Sequence, residues 1–181
     1  MIKRIHNFYD NPDEVRKEAI KAQYERISFG NYLGKDSCNK MINIPSVKLF
    51  DFPVKVQKSR FRYALEGDTY TSYVHTDGNK IGCGWHVIIP LTIGSELDGI
   101  DFYEHVKYGK TSENVKCKEE ILRQTEDFTV FKKWHFESYE FNTAILLDYS
   151  YFHAPHVKTG FGDTIENSRL FHIIEYRPLN L

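Results

Sequence analysis

Cysteine is nearly missing from these 181 residues: Cys38, Cys83 and Cys117 stand far apart, and no two form a C-x-x-C pair. That excludes a disulfide framework and a thiolate-based zinc or iron–sulfur site. Long apolar runs are missing too, none approaching the roughly 18 residues of a membrane span. The opening MIKRIHNFYDNPDEV lacks the apolar centre of a secretory signal. A soluble, cytoplasmic protein is expected. Nor is one charge in surplus: 24 Lys and Arg face 25 Asp and Glu, a formal net charge of -1. Such a balance gives no diffuse grip on nucleic acid or an anionic membrane. The motifs G-x-S-x-G, Walker A and G-x-G-x-x-G are also absent.

What is present is a core. Apolar residues make up 41% and aromatics 15%, enough for a single domain over 1–181 and too rich for a disordered chain. An amphipathic helix is expected over about 12–24. Asn11 serves as N-cap, Pro12 takes the first position, Glu14 is the capping partner, and Val15, Ala19 and Ala22 share a face. From Met41 onward short β-rich runs follow one another: MINI, SVKLF, RFRYALE, TYTSYVHT, CGWHVIIPLTI, GIDFYEHV, TAILLDYSYF and RLFHIIEY. Turn-formers such as Glu66-Gly67-Asp68 and Asp77-Gly78-Asn79 separate many of them. This texture describes a mainly β protein with flanking helices, an antiparallel sandwich or barrel. The charged stretch over about 112–133 reads as a helical insert. Lys107, Lys110, Lys116, Lys118, Lys132 and Lys133 around it, interleaved with Glu113, Glu119 and Glu120, read as a solvated face.

Eight histidines are the titratable surplus. In Tyr73-Val74-His75-Thr76-Asp77-Gly78, residues at i and i+2 of an extended strand point the same way, so His75 and Asp77 share a face. An imidazole and a carboxylate so placed can hold one metal ion, with a third ligand completing a facial triad. His153 ends the run Thr143–Phe152, and His156 follows after Pro155 as the alternative. Arg169 opens an alternating apolar strand on one face with Phe171 and Ile173. A guanidinium there suits bidentate binding of a carboxylate, either a ligand's or an internal acid's.

The order H-x-D, several strands, distal His, then Arg on the next strand resembles the Fe(II)- and 2-oxoglutarate-dependent dioxygenases. Ile5-His6-Asn7-Phe8-Tyr9, the helix start at Asn11 to Arg16, Gly30 to Gly34, Gly99 to Tyr103 and Phe141-Asn142 are similar to a small, poorly characterised oxygenase-like subgroup. The resemblance implies a double-stranded β-helix, a jelly-roll or cupin-like barrel. It further implies Fe(II) held by His75, Asp77 and His153, with Arg169 gripping the distal carboxylate of 2-oxoglutarate. It implies a hydroxylase or demethylase that consumes dioxygen and an unidentified substrate and releases succinate and CO2. Two features depart from the family pattern. Arg169 stands 16 residues after His153, farther than in many members, and Phe171 takes a place where many carry Ser or Thr. Tyr63 and Tyr73 are the candidates for the missing hydroxyl. Trp85, Ile88, Phe102 and Phe152 are expected to form a dry shell. Two other readings fit the residues: a zinc or manganese enzyme on a cupin-like barrel that also uses His156, and a barrel that binds without catalysis.

Overall fold

Alternation along the strands decides the layers. In Arg169–Pro178, Leu170, His172, Ile174 and Tyr176 face one side, while Arg169, Phe171, Ile173 and Glu175 face the other. The structure, a computed structural model, describes residues 1–26, 34–42, 49–69, 74–77, 84–93, 98–115, 121, 124 and 127–179. Its strands are β1 (Ile2–Ile5), β2 (Tyr24–Arg26), β3 (Lys35–Ser37), β4 (Val54–Ala64), β5 (Trp85–Pro90), β6 (Gly99–His105), β7 (Phe131–Ser138), β8 (Ala144–Asp148), β9 (Phe152–Pro155) and β10 (Arg169–Pro178); helix α1 is Pro12–Lys21.

The strands form two antiparallel sheets. The large one runs β1-β8-β5-β10-β4-β3-β2 and the small one β7-β6-β9. An isolated bridge joins His75 to His153 beside β9. This is the jelly-roll architecture of a double-stranded β-helix. Ile100 and Phe102 of the small sheet meet Ile145, Leu147, Phe171 and Ile173 of the large sheet in the sandwich interior. The outer face of the large sheet carries Phe61, Val87, Ile89, Leu146 and Ile174 and packs against α1 through Ala19. The outer face of the small sheet carries Tyr103, Phe131, Phe152 and Ala154.

Several expectations need correction. The helix ends at Lys21, because Ala22 is already extended (φ -64, ψ 155) and β2 begins two residues later. Asn11 occupies the N-cap without a side-chain cap bond, and Glu14 pairs with Lys17 at 2.7 Å instead. Within the charged stretch a 3-10 turn forms at Ser112–Asn114, Ile121 and Gln124 are helical, and only the end, from Phe131, departs from the expectation as strand β7. Strands β1, β2 and β3 carry too few apolar residues to be read from pattern. The expected dry shell divides between three surfaces. Ile88 and Phe102 lie in the interior, Trp85 packs at a tilt against Phe50 at 4.9 Å on the outer face of the large sheet, and Phe152 meets Phe131 at 5.3 Å outside the small one. Of the lysines around the insert, Lys110 lies 3.9 Å from the Trp134 ring and Lys133 pairs with Asp101 at 2.6 Å. Cys38 is exposed, while Cys83 and Cys117 lie outside the described residues. No helix among the described residues is long and apolar enough to cross a membrane.

One buried polar group locks the outer layer. His172, on the α1 side of β10, is fully buried between the hydroxyls of Tyr9 and Ser59 (Nε2–Oγ 2.7 Å). Burial, with the charge of Arg60 adding to it, pushes the imidazole down to about 3. It therefore stays neutral when folded but takes a proton near pH 6.5 when unfolded, so its contribution is full above about 6.5 and is lost toward 3. Urea unfolding at pH 7 and pH 5 tests this. His172→Gln should cost about 1–3 kcal/mol at pH 7 yet lose less stability than wild type on acidification. An unchanged acid sensitivity would contradict the assignment.

Candidate metal centre

The site is built on a backbone contact. His75 N–H donates to the His153 carbonyl and His153 N–H to that of His75, both at 2.9 Å. This reciprocal pair sets the two imidazoles side by side, with ring centroids 4.4 Å apart. Asp77, two residues on, reaches the same place: Oδ1 lies 3.9 Å from His75 Nε2, and Oδ2 lies 3.4 Å from His153 Nε2. One donor atom from each residue falls within 4.8 Å of the others, a spacing that one metal ion can bridge.

The protonation states suit a metal. His153 Nδ1 lies 3.0 Å from the Tyr151 carbonyl, so that nitrogen carries the proton and Nε2 presents its lone pair. Burial, reinforced by neighbouring His75, pushes His153 down to about 4 and keeps it neutral. For Asp77, burial opposes the charge, but the His86 imidazole outweighs it and holds the carboxyl well below its usual range. Asp77 Oδ2 lies against a neighbouring imidazole, and Oδ1, 3.9 Å from His75 Nε2, is the carboxylate oxygen that faces the cluster and suits a cation. Side-chain exposures of 22% for His75 and 21% for Asp77, against 9% for His153, show that the cluster opens on the first two.

Pattern reading missed the charged chain behind the cluster. His86 Nδ1 pairs with Asp77 Oδ2 at 2.8 Å, and its Nε2 lies 3.6 Å from Glu175. Glu175 takes Arg60 Nη1 at 2.5 Å, and Asp36 bridges Arg60 (3.0 Å) and Arg62 (2.6 Å). Burial works against a charged His86, yet Asp77 and Glu175 push it up to about 9. Burial likewise opposes a charged Glu175, but His86 and Arg60 pull it down to about 2. The signal was the period-two placement of His86, Arg60 and Glu175 on interior faces. It becomes informative only once β5 and β4 are known to flank β10, with Glu175 opposite His86.

The other candidates are dispersed. His156 turns to Asp101 (2.9 Å) and the Phe136 ring, away from the cluster. Arg169, 1% exposed, lies on the interior face at the far end of β10 from Glu175. Its guanidinium holds both carboxylate oxygens of Asp98, with Nη2–Oδ1 at 2.9 Å, beside Phe171. Tyr63 is on the opposite face of the large sheet, edge-on to Tyr24 at 4.7 Å, so its hydroxyl does not assist Arg169. Tyr73 lies outside the described residues.

Cobalt(II) titration followed by visible absorbance tests the donor set. Wild type should take up one equivalent, and His75→Ala or His153→Ala should lose it. His86→Ala should weaken binding roughly 10–100-fold, and His156→Ala should leave it unchanged. Equal losses in His156→Ala and His153→Ala would contradict the geometry.

No protein-family model matches the sequence, and no curated protein sequence does. In three dimensions the chain is similar to HygX from Streptomyces hygroscopicus, solved with nickel and 2-oxoglutarate bound. The TM-score is 0.62 at 11% identity, covering 99% of this chain and 84% of that one. It is also similar to SnoK, a non-heme α-ketoglutarate-dependent carbocyclase from nogalamycin biosynthesis (TM-score 0.64, 12% identity, 98% and 79% covered). A third neighbour is SnoN, an epimerase of the same dependence and pathway (TM-score 0.62, 10% identity, 98% and 78% covered). The likeness is one of fold, and it extends over nearly the whole chain.

Proposed function

We propose that this protein is an Fe(II)- and 2-oxoglutarate-dependent oxygenase of the hydroxylase or demethylase type. The observation that carries the reading is the convergence of one donor atom each from His75, Asp77 and His153 within 4.8 Å. Two imidazole nitrogens and a hard carboxylate suit iron without the softness of a thiolate. The similarity in fold to HygX, a protein solved with nickel and 2-oxoglutarate bound, supports the same chemistry here.

Iron held on one face by these ligands would supply open positions where dioxygen is activated and 2-oxoglutarate is decarboxylated. In the balanced reaction, 2-oxoglutarate, dioxygen and a substrate C–H become succinate, CO2 and a hydroxylated substrate. One oxygen atom of dioxygen ends in succinate and the other in the new hydroxyl.

The chain's own residues do the preparation. His86 and Glu175 keep Asp77 charged and oriented, and Tyr151 fixes the tautomer of His153. Ile88, Phe102 and Ile173 line the interior beyond the cluster with apolar side chains that exclude water. Arg169 is the proposed holder of the distal carboxylate of 2-oxoglutarate. The Tyr149 ring lies edge-on to His86 at 4.7 Å, and its buried hydroxyl, without a hydrogen-bond partner among the described residues, is left to meet a polar atom of the substrate.

A second reading has one observation in its favour. Asp98 already fills the guanidinium of Arg169, as it would in a zinc or manganese enzyme of the same barrel that makes no use of 2-oxoglutarate. Succinate formation separates the two. Iron-loaded wild type with 2-oxoglutarate should release succinate even without prime substrate, slowly, and His75→Ala should release none. Bound zinc or manganese with no succinate under any loading would favour the second reading.

A further inference from the structure

We propose that Asp98 is an exchangeable internal carboxylate: it occupies Arg169 in the resting protein, and a carboxylate of 2-oxoglutarate displaces it. Asp98 thereby sets the affinity for the co-substrate. The inference rests on the reading of Arg169 as the co-substrate anchor.

The pair has the marks of a site held by a substitute. Arg169 and Asp98 are 1% and 3% exposed, and Arg169 engages both carboxylate oxygens through Nε and Nη2. This is the two-pronged geometry in which a guanidinium recognises a free carboxylate. Aromatic rings flank the cation, Phe171 at 5.0 Å and Tyr139 at 5.6 Å, and add weight to a planar guanidinium held in place. Burial makes removal of either charge costly unless another takes its place. A dianionic ligand that delivers one carboxylate to Arg169 meets that requirement.

The backbone allows the exchange. Asp98 precedes β6, and its carbonyl accepts from Tyr139 N–H at 2.8 Å, so its main chain is fixed on β7. Only the side chain must turn, giving up Arg169 and the Gly99 N–H that Oδ1 accepts at 2.7 Å. A cavity of about 400 Å³ borders Asp98, Tyr139 and Phe171, together with Thr92 and Phe161. That space receives the displaced carboxylate, where water can solvate it.

Calorimetric titration of Mn(II)-loaded protein with 2-oxoglutarate compares wild type, Asp98→Asn and Arg169→Gln. The amide keeps the shape of Asp98 but not its charge. Asp98→Asn should bind about tenfold tighter or better, and Arg169→Gln about tenfold weaker or worse. Ligand-free Asp98→Asn should melt roughly 10 °C below wild type, with 2-oxoglutarate raising its midpoint more than that of wild type. A variant soluble only when 2-oxoglutarate is supplied supports the exchange equally. Unchanged or weaker binding by Asp98→Asn, or insolubility with and without 2-oxoglutarate, overturns it. Manganese stoichiometry reports separately on the metal centre. If wild type takes up no manganese, the metal reading falls, and the same comparison with glutarate on metal-free protein judges Asp98 alone.

Discussion

Two backbone hydrogen bonds between His75 and His153 hold the candidate centre together. They join a segment that follows β4 to a strand that enters the small sheet near the end of the chain. Residues 78 positions apart are thereby fixed at one level of the barrel. Each later feature of the centre depends on that bridge. It sets the imidazoles side by side, lets Asp77 close the cluster from the same segment, and brings Asp77 against His86 on β5. Strands β9 and β5 position His153 and His86, and the bridge ties the His75–Asp77 segment to them.

The interior is divided by polarity, and the division follows from the unequal sheets. Where the three-stranded sheet covers the large one, Phe102, Ile145, Leu147, Phe171 and Ile173 form an apolar cluster. Toward β4 and β3, charge replaces them: Glu175, Arg60, Asp36 and Arg62 alternate in sign, and each side chain meets the next. Buried ions persist only when paired, and this chain pairs them in sequence from the His75–Asp77–His153 cluster toward the sheet edge. At the far end of β10 the Arg169–Asp98 pair obeys the same rule. One barrel therefore holds a cluster with spare donors and a cation with an internal partner, joined by an apolar wall.

Much of this was legible in the sequence. The short alternating runs give the mainly β class because period-two burial is written locally. His75 and Asp77 share a face because their spacing is local too. Distance along the chain hid the rest. Nothing near His86 says that Glu175 will stand opposite it, since that depends on β5 pairing with β10. Asp98 is likewise invisible as the partner of Arg169, 71 residues away. Face assignment failed where it needed a reference: Trp85 and Phe152 are apolar strand residues like Ile88 and Phe102, but one step of alternation sends them outside the sandwich. Tyr63 is misplaced for the same reason, on the wrong side of β4 for Arg169. Asp101 draws His156 to the other face of the small sheet, which leaves His153 beside His75 and Asp77.

The central claim is that His75, Asp77 and His153 form one centre that takes iron together with 2-oxoglutarate. Anaerobic titration with Fe(II) and then 2-oxoglutarate, followed by visible absorbance, tests it most directly, because a keto acid chelated to ferrous iron gives a weak charge-transfer band. The account predicts a band that saturates at one equivalent of each and is missing in His75→Ala. No band in wild type at saturating iron and 2-oxoglutarate would contradict it.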